Sequence, residues 1–307
     1  MKVFKGLTSY KNSAKTIVTV GTFDGVHIGH QKIIRKLNKN KSSNESVILT
    51  FFPHPRMILQ KTVELRLLNT LEEKKVLLKK AGLDCLIIEP FTEEFSRLTA
   101  LEFTKNILLK KLNISKLIIG YDHRFGRNRE GDFQQLQEYG KLFNFEVVEI
   151  SVQDIKDVAV SSTKIRNALS EGKIEIANTY LGYEYMLTGK VIHGRGLGKK
   201  WNYPTINLNV NKNYKLVPKT GVYLIRCFIN KMEYFGIMNI GFRPTVEGNT
   251  QTIEVHLLDF NADLYGKEIQ VNLIKRLRDE KKFNSLEELF QQIKKDEKTA
   301  RTLLATL

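Results

Sequence analysis

His27 and His30 stand three residues apart with Gly29 between them, inside GTFDGVHIGHQK at residues 21–32. Imidazoles at that spacing can face one point. Their N–H groups can stabilise the extra charge that builds on a phosphorus atom under attack, and Gly29 leaves room for close approach. The same pair also suits ordinary polar duty or a metal, so the surrounding residues have to decide. Ser161, Ser162 and Thr163, with Lys164 and Arg166, precede a helical pattern. Hydroxyls, a helix start and two cations suit the outer phosphates of a nucleotide, or a plain N-cap. From Gly120 to Asp132 runs a loop rich in glycine and arginine, directly after an apolar run. A substrate meets a parallel sheet at such a place; the alternative is a mobile surface loop.

A second set lies further on. Gly194, Gly196 and Gly198, with Arg195, Lys199 and Lys200, form a loop that can wrap a polyphosphate in backbone N–H groups. No GK[ST] follows as in a Walker loop, and no helix as in a dinucleotide fingerprint. Pro204-Thr205-Ile206-Asn207 adds a hydroxyl and an amide, hard oxygen ligands suited to Mg²⁺ and phosphate. Glu254 alternates with Ile253 and Val255, so it points off the opposite face of a strand. It is either a solvent-facing strand residue or a general base that takes a proton from an alcohol during phosphoryl transfer.

The elements that must carry these residues fall into two textures. Thr16–Val20, Ser46–Phe52, Cys85–Ile88, Lys116–Ile119 and Phe145–Ile150 are apolar, strand-like runs alternating with helical segments. Thr70–Glu73 and Thr99–Glu102 are capping boxes that open two of those helices, and Gly82 stops the first. Such alternation predicts a parallel sheet covered on both faces. After about Leu181 come Leu187–His193, Gly221–Phe228, Tyr234–Asn239, Ile253–Leu258 and Ile269–Leu273. These runs are short, β-rich and separated by turn residues, an antiparallel barrel-like pattern. Ser285–Glu288 reads as a third capping box, opening a last helix with Leu286, Leu289, Phe290 and Ile293 on one side. The reading is an α/β N-terminal domain over residues 1–182 and an antiparallel β-barrel with a terminal helix over 183–307.

Composition sets the outer limits. The 307 residues are 42% hydrophobic and 27% charged, ordinary for packed cores. Lys and Arg number 49 against 33 Asp and Glu, a net +16, which favours anionic partners. The lysines are scattered, with Lys74, Lys75, Lys79 and Lys80 assigned to a solvated helix face. Cys85 and Cys227 sit in apolar runs without metal-like spacing, and buried free thiols are expected. The N-terminal residues have no apolar leader pattern and no run is long enough to span a bilayer, so a cytoplasmic protein is expected.

Taken in order, GTFDGVHIGH, FFPHPR, GYDHRFGRNREGD and SSTKIR resemble the FMN adenylyltransferase module of bacterial bifunctional riboflavin kinase/FAD synthetases. HIGH is itself an ATP-site signature of enzymes that attack an α-phosphate and expel pyrophosphate. The resemblance implies a Rossmann-like nucleotidyltransferase fold in which His27 and His30 act on the ATP α-phosphate. It assigns Gly21, Phe23, Asp24, Gly29 and His54 to the ATP and FMN site. Asp122 and Arg124 would help to place FMN and ATP, and Ser161, Ser162, Thr163 and Arg166 would hold the polyphosphate. His123 stands where phenylalanine is frequent.

GRGLGKKWNYPTIN, GVYLIR, NIGFRPTV, EVHLLDFNADLYG and RLRDEKKFNSLEEL resemble the riboflavin kinase module of the same family, across residues 183–300. That implies a riboflavin kinase-like barrel. Gly194, Arg195, Gly196, Gly198, Lys199, Pro204 and Arg278 would bind ATP or riboflavin. Thr205 and Asn207 would sit at the Mg-ATP phosphates as metal ligands, and Glu254 would activate the riboflavin 5′-hydroxyl. Asn202 replaces a usual glycine and Ile206 a usual alanine. The expected partners are ATP, riboflavin and FMN, with Mg²⁺, no nucleic acid and no membrane. A class I aminoacyl-tRNA synthetase would need a KMSKS-like loop, which the sequence lacks. A cytidylyltransferase would leave the second half unexplained, and a nucleic-acid-binding protein rests on charge alone.

Overall fold

The computed structural model describes residues 1–11, 14–39, 41, 43–60, 64–120, 124–150, 160–193, 203–245 and 248–306. The chain divides into two compact units, Met1–Ser161 and Ser162–Leu307.

The first unit is built on six parallel strands: β1 (Lys2–Lys5), β2 (Thr16–Val20), β3 (Glu45–Phe51), β4 (Cys85–Glu89), β5 (Ile114–Gly120) and β6 (Glu146–Ile150). Their order is β1-β4-β3-β2-β5-β6. The helices are α1 (Ile28–Asn38), α2 (Pro55–Leu59), α3 (Leu71–Lys80), α4 (Glu93–Ser96), α5 (Ala100–Glu102) and α6 (Phe133–Phe143). Interior strands read as continuous apolar runs because both faces are covered. Val18, Val20, Val47, Leu49, Leu117 and Ile119 join Phe103 and Leu108 in one core. The alternate residues Ile17, Ile48, Leu86 and Ile118 are equally buried on the other face, and α1 packs against β2 and β5.

Strand β1 has no counterpart in the sequence reading. It is an edge strand whose four residues are exposed or half-buried, so it needs no apolar pattern; parallel pairing with β4 holds it. Both capping boxes in this unit form. Gly82 takes φ +83° and its N–H returns to Lys79 O, the left-handed stop expected after α3. Beyond α5 the helix widens into a π-helix over Phe103–Leu109, where the Thr104 hydroxyl bonds back to Ala100 O. The chain steps from β2 to β3 and β4 on one side, then returns to β5 on the other. The carboxyl ends of β2 and β5 therefore flank the switch point of the sheet, where open α/β folds bind ligands.

The second unit opens with α7 (Ser162–Ser170) and α8 (Ile174–Leu181), followed by a closed barrel. The barrel strands are β7 (Tyr185–Ile192), β8 (Ile206–Asn209), β9 (Gly221–Ile229), β10 (Met232–Thr245), β11 (Gly248–Leu257) and β12 (Glu268–Arg278), in order β10-β11-β8-β7-β12-β9. Both cysteines are buried and free. The last helix, α9 (Leu286–Leu304), starts at Ser285 as expected. Glu288, however, accepts from Asn284 N, one residue before the cap. Its apolar side also differs from expectation, since Leu286 is 51% exposed. The helix is seated by its second half, where Ala300, Leu303 and Leu304 pack on Val222, Leu224 and Ile237.

Candidate active sites

Gly21 N still donates to Leu49 O at 3.0 Å, so the chain leaves the sheet there. The turn that follows is tight: Phe23, Gly25 and Val26 have φ of 48°, 88° and 37°. A β-branched residue seldom adopts such a φ, and strain of this kind concentrates at functional sites. Val26 is held by its N–H to Phe23 O at 3.3 Å and by Gln31 Nε2, which donates to Val26 O at 3.0 Å. Asp24, 1% exposed, braces the turn. Its carboxylate accepts from Leu68 N at 2.9 and 3.2 Å and from Asn69 N at 3.4 Å.

His27 caps α1, its Nδ1 accepting from His30 N at 3.4 Å. An accepting Nδ1 leaves the ring proton on Nε2. The two imidazoles stack with centroids 3.7 Å apart and planes 18° from parallel, and the Phe23 ring lies 4.8 Å from that of His30. A Cβ on Gly29 would stand 3.2 Å from His27 Cε1 and Nδ1, so glycine lets the ring lie against the helix. His30 Nδ1 is buried without a hydrogen-bond partner in the protein. Burial first, then the neighbouring His27 and Lys74, hold the His30 imidazolium well below its usual range. The pair is thus two stacked rings, the His30 ring held uncharged, at the carboxyl end of β2, at the switch point of the sheet.

The other expected residues of this site are placed as follows. His54 caps α2, accepting from Arg56 N at 3.1 Å. Arg124 pairs with Asp132, Nη1 to Oδ2 3.3 Å. Phe125 is buried and bridges to Gly131, which closes residues 125–131 of the loop. Asp122 lies outside the described residues. Ser162, Thr163 and Arg166 fall within the first turns of α7, directly after Ser161, and α7 belongs to the second compact unit.

In the barrel, Glu254 lies opposite Asn207 of β8 and Asn239 of β10. Directly opposed strand residues share a face, so an amide, a carboxylate and an amide form one row across three strands. Ile253 and Val255 are buried on the other face, which gives Glu254 the outward direction expected from alternation. Arg243 Nη2 donates to Glu254 Oε1 at 3.1 Å. Thr205 lies immediately before β8, two residues ahead of Asn207. Hydroxyl and amide oxygens beside a phosphate site are the donor set Mg²⁺ accepts when substrate supplies further ligands. Among the described residues no cluster of three His, Cys, Asp or Glu could hold a metal. Pro204 O lies 2.9 Å from His256 Nδ1. Arg278 spends its donors on Asp296, Nε to Oδ1 2.9 Å and Nη2 to Oδ2 2.7 Å, and on Asp279 O. Gly194, Arg195, Gly196, Gly198 and Lys199 lie outside the described residues.

Three residues of these sites were not singled out from the sequence. Asn239 and Arg243 could have been found from their period-two relation within NIGFRPTV. Lys74 was assigned to a solvated face, yet it is 4% exposed and its Nζ donates to Thr22 O at 2.7 Å. The signal was there: Lys74 falls three after Leu71 and three and four before Leu77 and Leu78, on the buried stripe.

Comparison with known proteins bears on both halves. A family model described as FAD synthetase matches residues 9–164, and one described as riboflavin kinase matches 181–304. A bifunctional riboflavin kinase/FMN adenylyltransferase of Buchnera aphidicola is 40% identical over 304 residues, covering 96% of each chain. The protein of the same name from Listeria monocytogenes is 36% identical, covering 95% of this chain and 93% of its own. The solved structure of a macrolide-efflux protein from Streptococcus pneumoniae matches with a TM-score of 0.89 and 29% identity, over 98% of this chain and 99% of that one. Among the described residues no helix is long and apolar enough to cross a membrane.

Proposed function

The chain belongs to the bifunctional riboflavin kinase/FMN adenylyltransferase family, and we propose which residues carry each of its two reactions. It phosphorylates riboflavin to FMN with ATP, and adenylates FMN to FAD with a second ATP. In the second reaction an FMN phosphate oxygen bonds to the α-phosphorus of ATP. The bond to the bridging oxygen breaks, and its electron pair leaves with pyrophosphate.

In our reading His27 and His30 donate ring N–H groups to the α-phosphate as that charge develops. The stacked pair at the carboxyl end of β2 carries this reading. Gly21, Phe23 and Asp24 shape the turn, and Gly29 lets the nucleotide and His27 lie close. His54, Asp122 and Arg124 place the substrates. The helix start at Ser161–Arg166 receives the outer phosphates on free N–H groups and hydroxyls.

For the kinase, Glu254 takes the proton of the 5′-hydroxyl, held by Arg243 in the row with Asn207 and Asn239. Gly194, Arg195, Gly196, Gly198 and Lys199 wrap the phosphates, and Pro204 orients the strand entry through His256. Arg278 serves this site by seating α9. Thr205 and Asn207 would hold Mg²⁺, which when bound neutralises charge on the phosphate oxygens. We set the functional boundary at 182/183, just inside the riboflavin kinase match, which begins at Leu181. The basic surplus serves capture of ATP and FMN, with no nucleic acid. Two free buried thiols suit a cytoplasmic location.

The test is chromatography of flavins over time from riboflavin, ATP and Mg²⁺. FMN should appear first and FAD follow. His30→Ala should abolish FAD and spare FMN. Glu254→Ala should abolish FMN from riboflavin and still make FAD from supplied FMN. Loss of both reactions in either folded variant would refute the two-site assignment.

A further inference from the structure

The segment that leads into α3 grips the turn before α1 at two points. Leu68 and Asn69 N–H groups hold the Asp24 carboxylate, and Lys74 Nζ holds Thr22 O at 2.7 Å. Thr22 O also accepts from the Thr50 hydroxyl at 3.1 Å, so the carbonyl is fixed by β3 as well. The Thr70–Glu73 capping box sets the first turn of α3, and Lys74 is the next residue. An ammonium buried to 4% exposure is expensive unless something needs it there.

We propose that Lys74 is a positioning residue of the adenylyl-transfer site: it fixes the 21–27 turn through Thr22 O and brings its ammonium to the turn that carries the His27–His30 pair. This rests on the reading that the pair acts on the α-phosphate. The charged and titratable groups around His30 are His27 from its own helix, Lys74 from α3, and Asp24 from the turn, which faces Lys74; the Phe23 ring is uncharged. Lys74 therefore favours the uncharged imidazole. Burial lowers the affinity of Lys74 for its own proton, and Asp24 opposes that effect. The division of labour follows. The Lys74 ammonium attracts the triphosphate, while an uncharged His30 ring gives a directed N–H bond that strengthens as charge accumulates during attack.

The experiment compares wild type, Lys74→Met, Lys74→Gln and Lys74→Arg in the full chain. Lys74→Gln keeps an N–H for Thr22 O without the charge, and stands in if the methionine variant does not fold. The readouts are the His30 ring titration by NMR without substrates, the pH profile of FAD formation from FMN, and FMN formation as a control of fold. Without the charge, the His30 midpoint should rise by about half a pH unit or more. The acid limb of FAD formation should move with it, FMN formation should be unchanged, and Lys74→Arg should restore the wild-type values. An unmoved His30 midpoint and acid limb in the charge-removing variants overturn the proposal, even where FAD formation slows. His30→Ala that still makes FAD would sink the site reading instead, and the substrate-free titration tells the two failures apart.

Discussion

Replacing Asn178 by alanine should loosen the barrel although Asn178 lies on a helix ahead of it. Its Oδ1 accepts from Tyr185 N at 2.7 Å and its Nδ2 donates to Leu273 O at 2.8 Å. One side chain thus ties α8 to the first strand of the barrel and to β12. Gly182, at φ +75°, turns the chain so that Tyr185 returns to it. Tyr185 and Leu273 are both fully buried, so water cannot replace the lost partner. A buried backbone group left unpaired costs about 1–3 kcal/mol. Two of them, partly relaxed, give about 2–4 kcal/mol. A unit of this size loses roughly 3 °C of Tm per kcal/mol. The assay is riboflavin phosphorylation remaining after graded heating or urea, with exposed Thr179→Ala as the control. Asn178→Asp, which keeps the acceptor and meets Leu273 O with a second acceptor, should fall between. A loss below about 0.5 kcal/mol, the ordinary scatter of surface substitutions, would show that α8 is no part of the barrel's cooperative unit.

The Arg278–Asp296 pair, with side chains 17% and 8% exposed, is the clasp of α9. Arg278→Ala should cost about 3–5 kcal/mol in urea denaturation because Asp296 is left buried without its counter-charge, with Gln292 Nε2 still donating to its Oδ1; an unchanged midpoint would mean that α9 is seated by its apolar contacts alone. Burial pushes the Cys85 thiol up to about 12 and the Cys227 thiol up to about 11, from an ordinary 9.0. The unfolded thiols ionise near 9 while the folded ones stay protonated. This stability is therefore complete below pH 9 and is lost as pH rises from there through 11 and 12, by up to about 1.4 kcal/mol per pH unit for each thiol. Urea midpoints between pH 8 and 10.5 should fall less steeply in a Cys85→Ala/Cys227→Ala variant; identical slopes would contradict the assignment.

Local chemistry was legible wherever it was repeated along the chain. Five of six parallel strands were legible from their apolar residues, the four interior ones because a strand covered on both faces favours apolar residues along its length. Helix starts were legible at Thr70 and Thr99, because a cap is satisfied within four residues. Edge strand β1 was not, since pairing with β4 is a long-range event that leaves no pattern in KVFK. Among the lysines of α3, the spacing to Leu71, Leu77 and Leu78 marks Lys74 as inward, while its contact with Thr22 O comes only from the packing of α3 on the β2 turn. Leu286 falls on the apolar side that the spacing predicts, whereas α9 is held by its second half, where Asp296 meets Arg278, eighteen residues earlier.

Both chemistries could be read along the chain, because HIGH, Thr205, Asn207 and Glu254 are the groups proposed to act and carry their chemical type wherever they lie. The tertiary structure decided their arrangement. It stacked His27 on His30, set Glu254 between Asn207 and Asn239, paired it with Arg243, and drew α7 and α8 into the compact unit that holds the barrel. Those relations join residues far apart in the chain, and they arise from registers and burial that only the closed fold imposes.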